Sequence, residues 1–457
     1  MPDNDDLDRW LSERVTPLPP AEGTFELIKR RARRRKLRKL AVTVTSAAAV
    51  VTAGILIPRV TSLTINSPPT GREAAGSQAH PSPTGGQQAN GTATPEPTGS
   101  PSSPSAQLPP VPPNFQPSSV TFVGSGTGWV IGQAGTPGHC ATQFCTSLAR
   151  TNDAGRTWQG VPAPVTGAPD GSAGVGQVRF LNTEDGWAFG PELWATHDGG
   201  QTWTKIPTNG QRVVDLETVG THAFALFATC TGTGQLMAGS CTAFTLEAAS
   251  SDSNIWEPVG VSTTNLTDNG LASAATLVLT GTAGYLLSPA GDLYTGSVDD
   301  TSGWRKLPSF SSAGVCGSLL PVEPDGHPQG ILLAAGTASR LAILCADGTA
   351  HHLLTSADGG NTWTSQAISG LTGTAVSLSE SLDGTVVTAT TAGISLWTAG
   401  TSAWQQASLG SAGPASGFGY IGMTTSKQGV ALPINTALHE VWMTFDGGKT
   451  WQPYPVS

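Results

Sequence analysis

One eight-residue string constrains this chain more than anything else in it. THDGGQTW at 196–203 returns as TNDAGRTW at 151–158, SADGGNTW at 356–363 and TFDGGKTW at 444–451. Four copies of Ser/Thr-x-Asp-Gly/Ala-Gly-x-Thr-Trp make an internal repeat, the signal that outranks any local propensity. Each position has a mechanical role. The carboxylates of Asp153, Asp198, Asp358 and Asp446 stand where they can accept backbone N–H groups of their own turn, and the glycines permit positive φ. Trp158, Trp203, Trp363 and Trp451 leave the turn to be buried between sheets. Degenerate copies keep only the closing indole: SSDSNIW ends at Trp256, SVDDTSGW at Trp304 and TAGTSAW at Trp404. The seven tryptophans are spaced by 41 to 59 residues.

The string resembles the Asp-box, or BNR repeat, of sialidase-like and photosystem II assembly factor-like β-propellers, where it joins the third and fourth strands of a blade. The resemblance and the spacing together imply an all-β, seven-bladed propeller over 118–457. The rest of each unit agrees. An apolar run such as VTFV at 120–123 or VRFL at 178–181 precedes a glycine-led aromatic, as at Trp129, Trp187 and Tyr285. A third run then leads into the box, as in ELWAT, DLYTG, HHLLT, ISLWT and EVWMT. These are strands between Gly-rich turns, with no helical period. The first strand is expected near Ser118, with each blade drawn from one continuous repeat.

Upstream of the repeats the composition changes three times. Residues 1–39 are expected to be cytoplasmic, with Leu7, Trp10, Leu11 and Val15 on one side of a short amphipathic segment. Nine of the chain's 23 basic residues fall between Lys29 and Lys39, next to LAVTVTSAAAVVTAGILI at 40–57, which carries no charge. At 1.5 Å per residue that run spans ~27 Å, near the thickness of a bilayer core. The basic flank places the N-terminus inside and the repeats outside the cell membrane; a cleaved signal peptide is the competing reading. Residues 58–117 are rich in Pro, Ser, Thr and Gly, with 13 prolines between Asn66 and Pro117, and read as a disordered linker.

From Ser118 onward ten Lys and Arg face 23 Asp and Glu, a net charge near −13, which argues against nucleic acid and anionic lipid as partners of the repeats. All six cysteines lie in this region. An even number outside the membrane suggests disulfides, with the sequential pairs Cys140–Cys145, Cys230–Cys241 and Cys316–Cys345 expected. No ligand spacing supports a metal or other cofactor.

Several groups invite a catalytic reading. The four repeat aspartates fall in different blades, too far apart for a glycosidase pair, whose carboxyls stand ~5 to 10 Å apart; a structural role is expected. Sialidases, by the resemblance, use three arginines, a tyrosine paired with a glutamate, and an aspartate. This region holds six arginines, no Arg-Ile-Pro, and only Tyr285, Tyr294, Tyr420 and Tyr454. No G-x-S-x-G occurs, and His351 and His352 point to opposite faces of a strand. The repeat at 178–203 is most similar to the photosystem II assembly factor family, which is implied to act as a binding scaffold through arginines on its innermost strands. At the corresponding positions stand Thr121, Arg179, Asp215, Leu277, Ser377 and Gly422, so only Arg179 matches.

The expected function is a membrane-anchored extracytoplasmic module that binds a protein or glycan without catalysis, through Arg179, Asp215 and Glu217. The alternatives are a sialidase-like carbohydrate hydrolase and a transmembrane receptor whose segment 1–39 holds a cytoplasmic protein.

Overall fold

The computed structural model describes residues 109–457 apart from 137–138, 141–144, 170–172, 232–239, 261–269, 272–274, 289–290, 309, 311–315, 317–330, 348–349 and 411–412. The expected cytoplasmic segment 1–39, the membrane segment 40–57 and residues 58–108 of the linker lie outside the described residues. Among the described residues no helix is long and apolar enough to cross a membrane.

Short β-branched and aromatic runs between Gly-rich turns build seven antiparallel sheets, one per repeat. Blade 1 contains Gln116–Val123, Thr127–Gln133, Thr146–Thr151 and Gln159–Val161; blade 2 contains Gln177–Phe180, Asp185–Phe189, Leu193–His197 and Thr204–Ile206. The innermost strands of blades 3 to 7 are Arg212–Val219, Thr276–Leu279, Leu332–Ala335, Ala375–Glu380 and Phe418–Met423. First strands of successive repeats lie side by side, and that of blade 1 meets blade 7, so the sheets form a closed seven-bladed propeller. A 3-10 turn at Thr436–Leu438 lies between the second and third strands of blade 7.

Seven buried apolar clusters each join two neighbouring blades, and the indole that closes a repeat lies in the cluster shared with the blade before it. Trp203 shares one with Trp129 and Leu148, Trp256 one with Trp187 and Leu193, and Trp304 one with Phe224 and Leu246. Trp363 joins Leu287 and Leu293, Trp404 joins Leu344 and Leu353, and Trp451 joins Val387 and Leu396. Trp158 completes the circle in the cluster of Val430 and Met443 from blade 7. Each indole is therefore a wedge between sheets, and its burial holds the angle between adjacent blades.

The ring differs from expectation at its ends. The last residues of the expected linker belong to the propeller: the first strand starts at Gln116, and Val111 and Phe115 are buried against blade 7. A Pro-rich run conceals this, because prolines suit a segment that lies on a sheet edge without continuing its ladder. Gly160 N–H donates to the Pro109 carbonyl (2.8 Å), and His439 Nδ1 stands 2.8 Å from the Phe115 carbonyl oxygen. Among the described residues no strand upstream of Gln116 pairs with blade 7, and the first and last blades meet by packing and by the His439 contact. Blade 7 does gain an outer strand, Ser408–Leu409, running parallel to Thr450–Pro455. Blade 3 gains Gly270–Leu271.

Cys230–Cys241 and Cys316–Cys345 are disulfides as expected. Cys145 is also disulfide-bonded, while the Cys140 side chain lies outside the described residues.

Candidate functional site

An innermost propeller strand has one edge without a ladder partner, so its N–H groups need other acceptors. Here short polar side chains on one blade supply them to the next. Ser119 Oγ accepts from Val178 N–H (3.3 Å), Ser377 Oγ from Ile421 N–H (3.2 Å) and Ser379 Oγ from Met423 N–H (2.9 Å). Asp215 does the same between blades 3 and 4, its Oδ2 accepting from Leu277 N–H at 2.8 Å. Strand alternation sets this up: apolar Val178 and Phe180 face blade 1, leaving Arg179 to face blade 3.

Arg179, Asp215 and Glu217 are brought together on this wall. Arg179 Nε donates to Glu217 Oε1 at 2.8 Å, and its Nη1 donates to the Val178 carbonyl (2.9 Å) and to Ser119 Oγ (3.3 Å). The Arg179 and Glu217 side chains keep 13% and 27% of their surface exposed, so the pair is deep but open to the channel. Burial works against the Arg179 charge, yet the Glu217 carboxylate raises its pKa. Burial and the neighbouring Glu217 charge push the Asp215 carboxyl up to about 7. Tyr420, from the innermost strand of blade 7, joins the group electrostatically; burial raises its pKa and Arg179 opposes that. The cluster thus offers a guanidinium held by one carboxylate, a second carboxyl near neutrality and a phenol. Such a set can donate and accept hydrogen bonds at one spot, and can hold a proton.

Tyr420 was not among the expected site residues. Aromatics on strands default to packing, and only the ring brings the last repeat beside the first. Leu277 is buried core, Thr121 Oγ1 stands 3.5 Å from the Phe180 N–H, and Ser377 serves the neighbouring backbone. Arg179 stands on this wall, as its sequence position implied, and Arg212 begins the innermost strand of blade 3.

The repeat aspartates do something else. In each of the four copies the first hydroxyl donates to the Asp, and the Thr before the indole gives the Asp both its N–H and its hydroxyl. In blade 2 these are Thr196 Oγ1 (2.8 Å), Thr202 N–H (2.9 Å) and Thr202 Oγ1 (2.6 Å) on Asp198. Asp153, Asp358 and Asp446 repeat the set with Thr157, Thr362 and Thr450. The turn needs two consecutive positive-φ residues: Gly199 and Gly200 (74° and 93°), with Ala154 and Gly155 (64° and 81°) in the first copy. Hydrogen bonds led by the Thr362 hydroxyl hold Asp358 down to about 2. At Asp198 and Asp446 burial opposes the charge, yet the threonine bonds still hold each carboxyl below its usual range. These four carboxylates lie in four different blades and converge on no common cavity.

Tyr285 Oη donates to the Ala338 carbonyl (2.6 Å), and Tyr294 is buried, so both are packing residues. Burial and the neighbouring His352 lower the His351 pKa. Among the described residues no three His, Cys, Asp or Glu side chains are placed to hold a metal ion.

The sequence matches no protein-family model and no curated protein. Among solved structures the chain is similar to YCF48 from Cyanidioschyzon merolae, at 15% identity and TM-score 0.45, over 65% of this chain and 88% of that one. It is also similar to the GH74 enzyme of Niastella koreensis (13%, TM-score 0.41, 74% of this chain and 59% of that one). A streptogramin B lyase aligns at 11% and TM-score 0.42, over 74% and 93%. At these values the similarities assign no activity, substrate or partner to this chain.

Proposed function

We propose that this protein is an extracytoplasmic binding module, tethered by the apolar segment 40–57, whose Asp-box propeller takes a protein or glycan ligand at the channel wall through Arg179, Asp215 and Glu217. The observation that carries the reading is the gathering of those three groups, from adjacent blades, on a wall otherwise furnished mainly with small hydroxyls and apolar residues. The repeat aspartates support it by contrast, since each spends its oxygens on its own turn. Tethering is supported by the basic run at 29–39 beside the apolar segment.

A hydrolase is the second reading, favoured by the Asp215 carboxyl near pH 7 beside Glu217 and the Tyr420 phenol. The described innermost strands carry two arginines, Arg179 and Arg212, where sialidases use three, and that argues against carboxylate-clamping sialidase chemistry. The two readings separate on one experiment: the protein is incubated with fluorogenic glycosides, sialosides included, and displayed on glycan and extracytoplasmic-protein arrays. The binding reading expects captured ligands, lost in Arg179→Ala and Glu217→Gln and kept in Asp198→Ala, with no turnover. Turnover abolished by Asp215→Asn would establish the hydrolase instead. Protease release of the propeller from intact cells tests the tether; an intact chain after treatment would reject it.

A further inference from the structure

A second concave site lies between blades 5 and 6. It is a cleft of about 520 Å³ whose lining includes Ser356 and Ala357 of one box and Thr398 of the corresponding turn in the next blade. That size falls within the range of small-ligand pockets, roughly 300–1,000 Å³.

Two charged side chains meet in it. Glu380 ends the innermost strand of blade 6 and keeps only 6% of its side chain exposed; Arg340, in the turn before Leu341–Asp347 of blade 5, keeps 35%. Glu380 Oε2 accepts from Gly336 N–H at 3.2 Å. Its Oε1 stands 3.7 Å from Arg340 Nε, an ion pair too long to be a hydrogen bond. Arg340 Nη2 donates to the Leu382 carbonyl, which anchors the guanidinium, while Nε is buried with no hydrogen-bond partner. Burial pushes the Glu380 carboxyl up to about 7, in keeping with a carboxyl that Arg340 does not fully compensate. Nε is thus a buried donor without a partner, 3.7 Å from a carboxylate oxygen it does not reach, and the ion pair is incompletely matched.

A ligand group that matches such a pair accepts from the exposed part of the guanidinium and donates to the carboxylate, which is what a hydroxyl does. Charge narrows the choice. An anion meets Glu380 and Asp383, and a cation meets the permanently charged Arg340. The remaining lining, Thr355, Gln366 and Thr385 among apolar Leu341 and Ala357, supplies further hydroxyl and amide partners. Gly384 (φ 90°) lies against the guanidinium, where a Cβ would come within 3.5 Å of Cζ.

We infer that the cleft between blades 5 and 6 binds the end of a neutral carbohydrate, with a ring hydroxyl bridging the Arg340 guanidinium and the Glu380 carboxylate. The site does not depend on the channel cluster and stands whichever ligand that cluster takes. The test is isothermal titration and saturation-transfer NMR of the full chain with maltose, cellobiose and N,N′-diacetylchitobiose. One of these saturates at one per chain, weakened about tenfold by Arg340→Gln and several-fold by the less intrusive Gln366→Ala, with near-UV dichroism unchanged in the latter. Any of three results overturns the inference: none of the three sugars binds, binding survives both substitutions, or the cleft takes only charged glycans or peptides.

Discussion

Asp198, in the turn that closes blade 2, and Asp215, on the innermost strand of blade 3, are near neighbours in sequence and opposites in environment. Around Asp198 the chain supplies the Thr196 hydroxyl, the Gln201 and Thr202 N–H groups and the Thr202 hydroxyl, and the carboxyl is held below its usual range. Asp215 accepts two backbone N–H groups, but burial and Glu217 outweigh them and raise it to about 7. One carboxylate is consumed by the fold. The other is kept poised by burial and a like charge, a condition that costs stability and that binding and chemistry both use. The difference separates a rim that holds the blades from the wall proposed to take the ligand.

The comparison breaks most visibly if a box indole can be removed cheaply. Trp451 is fully buried and its Nε1 donates to the Gly448 carbonyl at 2.9 Å; Trp451→Ala is expected to cost about 3–5 kcal/mol in denaturant unfolding. On the wall, Arg179→Ala leaves Glu217 and Asp215 facing each other without their cation. The expected loss is about 1–3 kcal/mol, less than for a fully buried pair because the channel admits water, with Glu217→Gln milder. Asp198→Ala is expected to cost on the order of 1 kcal/mol, since its partners can turn to water, and to leave ligand capture intact.

Acidity gives the two sets opposite signs. The raised Asp215 and Glu380 carboxyls contribute stability that is whole below their ordinary values near 4 and is lost as pH rises through about 7. The box carboxylates contribute stability present above pH 3.8 and lost as pH falls, at Asp358 through about 2. Melting temperature should therefore decline from pH 5 to pH 8, and the double variant Asp215→Asn with Glu380→Gln should flatten that decline; an unchanged slope would merge the two classes. The smallest effect belongs to His197, whose Nδ1 meets Asp185 Oδ1 (2.8 Å) and whose Nε2 meets Asn254 Oδ1 (3.0 Å) across blades 2 and 3. Burial works against its charge, but Asp185 leads the groups that raise its pKa above 6.5. Its contribution is complete below pH 6.5, fades as pH rises through the higher folded value, and should shrink in Asn254→Ala and more so in Asp185→Asn.

The rim was largely legible in the sequence because each box is a local device. Thr196, Asp198, Gly200 and Thr202 find one another within seven residues, and the closing indoles count the blades at 158, 203, 256, 304, 363, 404 and 451. The wall was legible in part. Arg179, Asp215 and Glu217 stand at alternate positions of innermost strands, so strand period and register were enough to bring them to one surface. Tyr420 and the Arg340–Glu380 cleft were not legible, because each joins residues of different repeats whose distance depends on ring closure and on turn shape. Phe115 escaped for a related reason: in a Pro-rich run nothing marks one aromatic as the plug between the first and last blades until His439 and Val441 are seen beside it.

Site-resolved carbon-13 titration of the side-chain carboxyls is the most direct test of the division between rim and wall. Asp215 is expected to titrate near pH 7, with Asp153, Asp198, Asp358 and Asp446 all below 3.8. An Asp215 midpoint among those of the box aspartates, or a box aspartate titrating near neutrality, would contradict it.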